Sequence, residues 1–188
     1  MTKQEAEQLY GVELEEVADE IIDGDYIFPE KRVYFSKSVL IKGNLELKAY
    51  FAAKSITVEK SEKVSGWQEV GSSQKVGGSQ EVGRSQEVGE WQEVGEWQEV
   101  GRSQEVGEWQ KVGGSQEVGG SQEVGEWQEV GDGIIVGLSI KIGGTMSVGK
   151  RIFAGVCNWR DITDEEKTIT CKKLEKGEVA YGILKEEN

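Results

Sequence analysis

Gly83-Arg84-Ser85-Gln86-Glu87-Val88 is one copy of a six-residue phrase that recurs eleven times between residues 65 and 130. Other copies read Gly95-Glu96-Trp97-Gln98-Glu99-Val100 and Gly113-Gly114-Ser115-Gln116-Glu117-Val118. The six slots are therefore Gly, a variable residue, Ser or Trp, Gln, Glu or Lys, and Val. The choice of which slots face inward decides the fold.

Slot 3 points outward, because a position that accepts both Ser and Trp cannot lie in a close-packed interior. Side chains alternate between the two faces of an extended strand, so slot 5 also points outward while slots 4 and 6 point inward. The flanking hexads agree with this register, because their slots 4 and 6 are aliphatic or small. These pairs are Ile56/Val58, Ile134/Val136, Ile140/Ile142, Met146/Val148 and Ile152/Ala154.

The number of hexads in one coil follows from the outward slots. The ten-residue text from Gly83 to Gln92 recurs unchanged from Gly101 to Gln110, and Trp91, Trp109 and Trp127 recur at the same interval. A hexad cannot bury its own face, so neighbouring units must stack, with three hexads in each coil. Two alternatives remain: an 18-residue gene duplication without structural meaning, and a two-sided coil of twelve residues.

In a three-sided coil the eleven Gln residues form three interior columns. Strands in a sheet are about 4.8 Å apart, a distance at which each amide can donate to the equivalent amide of the next coil. The alternative places Gln partly in water near a corner. The columns are Gln68, Gln86, Gln104, Gln122; Gln74, Gln92, Gln110, Gln128; and Gln80, Gln98, Gln116.

Composition favours a single repetitive domain. The chain has 188 residues, 26 Gly and one Pro, and a net charge of -13. Disorder is the rival interpretation of such a polar chain, but the invariant Val slot argues against it. With two Cys and no His, neither a disulfide framework nor a familiar zinc pattern is expected. The polar, acidic start and the lack of a long apolar run predict a cytoplasmic protein without a membrane partner.

Residues 1–25 are acidic and carry Leu9, Val12, Leu14, Val17, Ile21 and Ile22 at a loose helical spacing. They are predicted to form one or two short helices that close the first coil; a specific acidic docking arm is the alternative. Strand alternation begins near residue 27, so residues 26–154 form the predicted solenoid. In residues 155–188, two alternating stretches around Glu175-Lys176-Gly177 predict a β-hairpin that caps the far end or binds a partner.

The sequence therefore predicts an all-β fold: a three-sided parallel β-helix (solenoid) of about seven 18-residue coils, with an N-terminal helical cap and a C-terminal β-hairpin cap. Two pattern-level resemblances accompany this prediction. The stretches from Leu40 to Leu47, Lys54 to Val58 and Ile134 to Val148 resemble the Gly-punctuated β-solenoid of bactofilins. This resemblance implies a right-handed helix, no cofactor and end-to-end filaments.

The hexads also resemble the hexapeptide repeats of left-handed β-helix acyltransferases, in which an aliphatic residue likewise pairs with a following Gly. Those enzymes place a small residue where this chain has Gln and use a His as base. Because this chain has no His, that chemistry is not carried over. There is no P-loop, dinucleotide fingerprint or activated nucleophile, so no catalytic residue, cofactor or metal is expected and the chain is predicted not to be an enzyme.

The outward slots predict a protein-binding surface. Residues 65–130 contain 13 acidic and 4 basic residues, a net charge of -9 over nearly four coils. That is one negative charge per roughly 2 Å of axis, compared with about one per 1.7 Å in double-stranded DNA. The leading hypothesis is a module that binds a protein partner, and its sharper form is mimicry of nucleic acid towards a basic nucleic-acid-binding protein. The predicted binding residues are Trp91, Trp97, Trp109, Trp127, Glu87, Glu90, Glu105, Glu108 and Glu126.

Three alternatives stay open for these residues. The acidity can serve only to keep exposed strands in solution. The stacked indoles can shield the sheet instead of forming an interface. The competing class of function is a bactofilin-like structural protein that assembles into filaments. No basic stripe crosses the repeats, so direct binding to nucleic acid is not expected.

Overall fold

The computed structural model describes residues 3–28, 32–47, 49 and 51–187, which form a parallel β-solenoid of about nine coils with one short helix. Helix α1 spans Lys3–Tyr10. The first three coils contain β1 (Glu15–Val17), β2 (Ile21–Ile22), β3 (Tyr26–Phe28), β4 (Val33–Phe35), β5 (Val39–Ile41), β6 (Leu45–Leu47), β7 (Phe51–Ala53), β8 (Ile56–Val58) and β9 (Glu62–Val64).

The repeat region supplies eleven of the twelve strands of the next four coils. Their strands are β10 (Gln68–Val70), β11 (Ser73–Val76), β12 (Gln80–Val82), β13 (Gln86–Val88), β14 (Trp91–Val94), β15 (Gln98–Val100), β16 (Gln104–Val106), β17 (Trp109–Val112), β18 (Gln116–Val118), β19 (Gln122–Val124), β20 (Trp127–Val130) and β21 (Ile134–Val136). The last strands are β22 (Ile140–Ile142), β23 (Thr145–Ala154), β24 (Thr168–Cys171), β25 (Lys173–Tyr181) and β26 (Ile183–Glu186), with a 3-10 turn at Glu165–Lys167.

Each strand pairs in parallel with the strands one coil before and one coil after it, so the solenoid has three faces. Face 1 is a sheet of ten strands, in the order β1-β4-β7-β10-β13-β16-β19-β22-β24-β26. Face 2 runs from β2 through β20 to the first half of β23, and face 3 runs from β3 through β21 to its second half. Strand β25 pairs with both halves of β23.

The interior confirms the predicted register. All eleven repeat Gln side chains are at most 3% exposed, and every Val in slot 6 from Val70 to Val130 is at most 1% exposed. Strand partners across the repeat coils stand one full coil of three hexads apart, as in the pair Gln86 and Gln104. Outside the repeats, aliphatic and aromatic side chains such as Phe35, Ile41 and Ile134 fill the same interior.

Glycine in slot 1 is required where the coils stack at a corner. A Cβ on Gly107 would lie 2.0 Å from the carbonyl oxygen of Gly89, and one on Gly125 would lie 1.8 Å from that of Gly107. No side chain fits at such distances, so the corners of successive coils touch backbone to backbone. The Gly107 N–H donates to the Val88 carbonyl at 2.8 Å, which carries the sheet hydrogen bonding into the corner.

The solenoid extends beyond both predicted limits. The prediction of seven coils starting near residue 27 was too short at the N-terminal side, because β1, β2 and β3 already pair with β4, β5 and β6. One or two short helices were predicted for this segment; the helix ends at Tyr10, and the strands β1 and β2 follow it. The apolar residues from Val12 to Ile22 have a spacing that fits both a helix and short strands joined by turns.

The predicted C-terminal β-hairpin is wrong. Strand β25 pairs in parallel with β23, and β26 pairs in parallel with β24, so these segments continue the solenoid. A hairpin requires its two strands to be antiparallel neighbours. Gly177, at φ +121°, lies inside β25 among its register shifts and does not turn the chain back on itself.

The segment that follows α1 covers part of the outside of face 1. Leu14 is buried against Tyr34 and Ala52, with the partly buried Val12 beside them. Tyr34 and Ala52 occupy outward positions of β4 and β7, yet they are 9% and 1% exposed. Here the N-terminal segment lies on the outer side of a sheet face. Whether α1 also closes the end of the first coil stays a prediction.

Candidate interaction surfaces and the glutamine interior

The predicted binding residues are distributed over all three faces. Trp91, Trp109 and Trp127 lie on face 2, Trp97 lies on face 3, and Glu87 and Glu105 lie on face 1. The remaining three carboxylates, Glu90, Glu108 and Glu126, come directly before the face 2 tryptophans. The structure therefore brings six of the nine residues together along face 2 and separates the other three from them.

Face 2 carries a ladder of indoles. The rings of Trp91 and Trp109 are stacked with centroids 5.2 Å apart and an angle of 8° between their planes. Trp109 and Trp127 meet edge to face at 6.3 Å. All three side chains are half-buried, so each indole shields its neighbours and still presents part of its surface. The two functional interpretations of the tryptophans are thus both compatible with this geometry.

The charges in slot 5 of face 2 neutralise one another. The Lys75 Nζ lies 3.2 Å from Glu93, and the Lys111 Nζ lies 3.6 Å from Glu129, each pair joining successive coils. Beside this neutral column the three acidic residues of slot 2 stack through the backbone: the Glu108 N–H donates to the Glu90 carbonyl at 2.8 Å. Face 2 is therefore an aromatic strip with an acidic border.

Face 1 carries a column of like charges in slot 5: Glu69, Glu87, Glu105 and Glu123. The last of these carboxylates accepts a hydrogen bond from Lys141 at 2.5 Å. Partial burial raises the pKa of the Glu87 carboxyl, and the charges of Glu69 and Glu105 raise it further. Like charges directly opposite each other destabilise a sheet, so this column lowers the stability of face 1.

Face 3 has a groove of about 880 Å³ near its C-terminal end, lined by Trp97, Glu99, Glu117, Ile135 and Phe153 among others. The slot 5 column of this face changes character along the axis. It reads Glu81, Glu99 and Glu117 in the repeats and then Ile135 and Phe153. Trp97 and Ile135 are 43% and 40% exposed. On this face the acidic column continues into an exposed apolar one, whereas on face 1 the apolar Tyr34 and Ala52 that precede the acidic column are buried with Leu14.

The interior amides form a continuous hydrogen-bonded ladder, as predicted. Each Gln Nε2 from Gln86 onward donates to the Oε1 of the Gln 18 residues earlier, in its own column, at 2.7–3.0 Å. It also donates to the Gln 12 residues earlier, in the neighbouring column, as Gln104 does to Gln92 at 2.9 Å. The three columns are therefore one network with a single direction.

Glu62 ends this network on the N-terminal side. Its carboxylate, in slot 4 of β9, accepts from Gln68 at 2.6 Å, from Gln74 at 2.8 Å and from Gln80 at 2.7 Å. A carboxylate has only acceptors, so it can receive the donors that point towards it. Burial raises the pKa of the Glu62 carboxyl, while the hydrogen bonds from Gln80, Gln68 and Gln74 act in the opposite direction.

The other end of the network is not closed. The buried Oε1 atoms of Gln122 and Gln128 accept no hydrogen bond within the described chain. The next coil places Ile140 and Met146 at the corresponding positions, and neither side chain has a donor. An unsatisfied buried polar atom costs about 1–3 kcal/mol, so the ladder ends here at a loss of stability.

No family model, no curated protein and no solved structure matches this chain. The structure itself supports the coarser part of both resemblances, a parallel β-solenoid of stacked coils. Within the described ranges, no cluster of three or more Cys, Asp or Glu side chains could hold a metal ion. No helix in that part of the chain is long and apolar enough to cross a membrane.

Sequence reasoning missed the role of Glu62. The signal was present, because Glu62 stands in slot 4 of the hexad that ends at Val64, one hexad before the first Gln. An acid in an inward slot requires several donors, and three neighbouring columns of amides provide them. The cross-column bonds were also missed, because their geometry depends on how far the amides reach across the coil.

Proposed function

We propose that this protein is a non-enzymatic binding module that engages a basic, nucleic-acid-binding protein through its acidic faces. One observation carries the proposal: six carboxylates of the central coils have no cationic partner within the described chain. Among the described residues, no Lys or Arg nitrogen lies within 4 Å of the carboxylates of Glu87, Glu99, Glu105, Glu108, Glu117 and Glu126.

Four lysines in and beside this region pair with other carboxylates. Lys63 contacts Glu81, the first acid of the face 3 column, and Lys141 contacts Glu123, the last acid of the face 1 column. Lys75 and Lys111 pair with carboxylates on face 2. The stretch from residue 65 to 130 keeps its net charge of -9 over about 18 Å. Its linear charge density is close to that of duplex DNA, which favours a partner whose binding groove is built for nucleic acid.

The proposal is tested with protamine, an arginine-rich DNA-binding protein, as the probe. The first variant changes Glu87, Glu90, Glu105 and Glu108 to Gln, and the matched control changes Glu81, Glu93, Glu123 and Glu129 to Gln. Both variants lose four negative charges, but only the control removes carboxylates that are already paired. We expect the first variant to bind protamine at least tenfold more weakly than the control.

A duplex DNA of about 20 base pairs should displace the protein from protamine, because both present a similar line of negative charge. Equal affinities of the two variants for protamine would contradict the proposal, since they would show that only total charge matters. Simultaneous binding of DNA and this protein to protamine, without competition, would contradict the mimicry.

Bactofilin-like assembly is the second candidate, and the ends of the solenoid favour it. Strands β1 and β26 each stand at an end of the face 1 sheet, where the described part of the chain gives them a single neighbouring strand. Such edges can pair with another chain and extend the solenoid. Electron microscopy at rising protein concentration separates the candidates, because filaments support assembly and particles of constant length contradict it.

A further inference from the structure

We infer that the groove on face 3 is a docking site for a partner segment that carries basic side chains at one end and apolar side chains at the other. The inference rests on the proposed function and locates it on one face. The groove measures about 880 Å³ and follows the axis from the coil of Trp97 to the coil of Phe153. Its two ends differ in chemistry, and this difference defines the occupant.

The charged side chains at the apolar end of the groove already pair with one another. Asp132 lies 2.7 Å from the Lys150 Nζ, and Glu178 lies 3.7 Å from the Arg151 guanidinium. These ion pairs border the exposed Ile135 and the half-buried Phe153. An occupant gains there by covering apolar surface and not by adding a charge.

The acidic end offers the opposite. Glu99 and Glu117 lie on adjacent coils, both exposed, and within the described chain neither has a cationic partner within 4 Å. Trp97 lies two residues before Glu99 in the same hexad and is 43% exposed. An Arg or Lys that reaches these residues can pair with a carboxylate and lie over the indole, a combination of ion pair and cation-π contact.

The spacing limits the length of the occupant. Glu99 and Phe153 are separated by three coils, or roughly 14 Å at the strand spacing. A helix of about nine or ten residues covers that distance. The occupant is therefore a short amphipathic segment with two basic residues near one end and two or three large apolar residues near the other.

The other faces lack this combination. The slot 5 column of face 2 is paired internally. That of face 1 runs from Tyr34 and Ala52, which pack against Leu14, through acids to Lys141, which Glu123 already binds. Face 3 also departs from the repeat where the groove begins, because Trp97 replaces the Ser found at the equivalent Ser79 and Ser115. An indole and an exposed apolar column thus coincide on face 3, whereas the apolar residues beside Trp67 on face 1 are buried.

The test uses a synthetic ten-residue helical peptide with two Lys near one end and Leu and Phe at the other, with affinity measured by calorimetry on the full chain. Trp97→Ser installs the residue that neighbouring coils carry at this slot, and Ile135→Glu extends the acidic column by one coil. Both changes are at exposed positions of the repeat pattern. We expect each to weaken peptide binding at least tenfold.

Two controls keep the result specific. Trp67→Ser removes a tryptophan of similar exposure, 37%, from face 1 and should change peptide affinity by less than twofold. A peptide with the same two Lys but Ser in place of Leu and Phe should bind at least tenfold more weakly than the parent.

The proposed docking site would be contradicted if Trp97→Ser and Trp67→Ser changed peptide affinity equally. Failure of the parent peptide to bind would contradict it as well. Protamine binding that survives such a failure leaves the proposed function standing, because protamine needs only the acidic columns. Peptide binding that persists when protamine binding is absent contradicts the proposed function and supports the groove.

Discussion

The coils of the repeat region and the coils on either side share one backbone but have opposite interiors. In β10 to β20 the inward slot 4 holds a Gln that is hydrogen-bonded to other Gln residues, whereas β4 to β8 and β21 to β23 fill the same position with Phe, Ile, Leu, Val or Met. Both kinds of side chain are fully buried. A solenoid interior thus accepts polar side chains when they satisfy one another coil after coil.

The difference shows where each interior is vulnerable. An aliphatic column can stop at any coil without leaving a polar group unpaired, whereas a ladder of amides has a donor end and an acceptor end. Glu62 closes the donor end, and the acceptor end is left open at Gln122 and Gln128. The boundaries between the two interiors should therefore respond to mutation more strongly than the middle of either.

The largest effect is expected for Glu62→Leu. The Nε2 atoms of Gln68 and Gln74 donate only to Glu62 within the described network, so this change leaves two buried amides without an acceptor. We expect the free energy of unfolding to fall by about 3 kcal/mol, measured by urea denaturation.

Gln98→Leu is the matched control from the middle of the ladder. Gln98 makes more hydrogen bonds than Glu62, but each amide that it contacts keeps another partner: Gln110 still donates to Gln92, and Gln116 still donates to Gln104. The expected loss is about 1 kcal/mol, because no buried atom becomes unpaired. A larger loss from Gln98→Leu than from Glu62→Leu would contradict the importance of the ends.

The second prediction concerns pH and the same boundary. Because the pKa of Glu62 is raised in the folded state, its contribution to stability is present below its ordinary value of 4.5 and is lost as the pH rises through the folded pKa. Glu62→Gln has no titrating group and should lose this dependence. The difference in unfolding free energy between the two proteins should therefore shift against the wild type as the pH rises from about 4 to about 8.

Comparing the two proteins in the same buffers cancels the titration of the exposed carboxylates. The side chains that hydrogen-bond to Glu62 are the amides of Gln68, Gln74 and Gln80, none of which titrates. Parallel stability curves over this range would show that the folded pKa of Glu62 is not raised.

A smaller effect than that of Glu62→Leu is expected at the open end. By the spacing of the ladder, Ile140→Gln places a donor one full coil after Gln122 and two hexads after Gln128, the two amides whose oxygens are unpaired. Ile152→Gln is the control, since the same two steps back from it lead to Ile134 and Ile140. Both replace a fully buried Ile.

We expect Ile140→Gln to be more stable than Ile152→Gln by about 2 kcal/mol, because it satisfies two oxygens while the control buries an amide among aliphatic groups. Thermal unfolding followed by circular dichroism is sufficient for this comparison. Equal stability would mean that the two oxygens already have a partner.

Much of the fold was predictable because a short repeat tests each position many times. Slot 3 alternates between Ser and Trp and so reveals the outer side, and the recurrence of Trp91, Trp109 and Trp127 gives the coil length. These inferences need no knowledge of distances. The sequence also contains a one-residue slip, because Ile56 follows the inward Phe51 by five residues and not six, and the structure pairs Ile56 with Val39, one position short of a full coil.

The ends were not predictable by the same reasoning. Alternation in β25 and β26 is the same whether strands lie in a hairpin or in stacked coils, and only the pairing partner distinguishes them. Strand β24 begins after an insertion, so Ile169 lies opposite Ile140 although the chain between them is longer than one coil. Such an insertion interrupts the six-residue period, so the sequence pattern no longer indicates that the solenoid continues.

The outward direction of the candidate residues was predictable, whereas their grouping on one face was not. The column assignments placed the indoles and acids correctly on the outside, but the nine predicted residues belong to three faces. The acid-to-apolar change on face 3 could have been found by following Glu81, Glu99 and Glu117 in steps of one coil to Ile135 and Phe153. The groove itself depends on side-chain conformations that no sequence pattern specifies.

The uniform step of the amide bonds has a consequence for how many coils the protein contains. Since every Gln from Gln86 onward contacts the residues 18 and 12 places before it, the interior is identical after adding or removing one coil. The positions of the interior hydrogen bonds therefore do not fix the number of coils between the two non-repetitive ends. Unequal recombination in units of one coil can therefore lengthen or shorten the solenoid without a change in the hydrogen bonding of its interior.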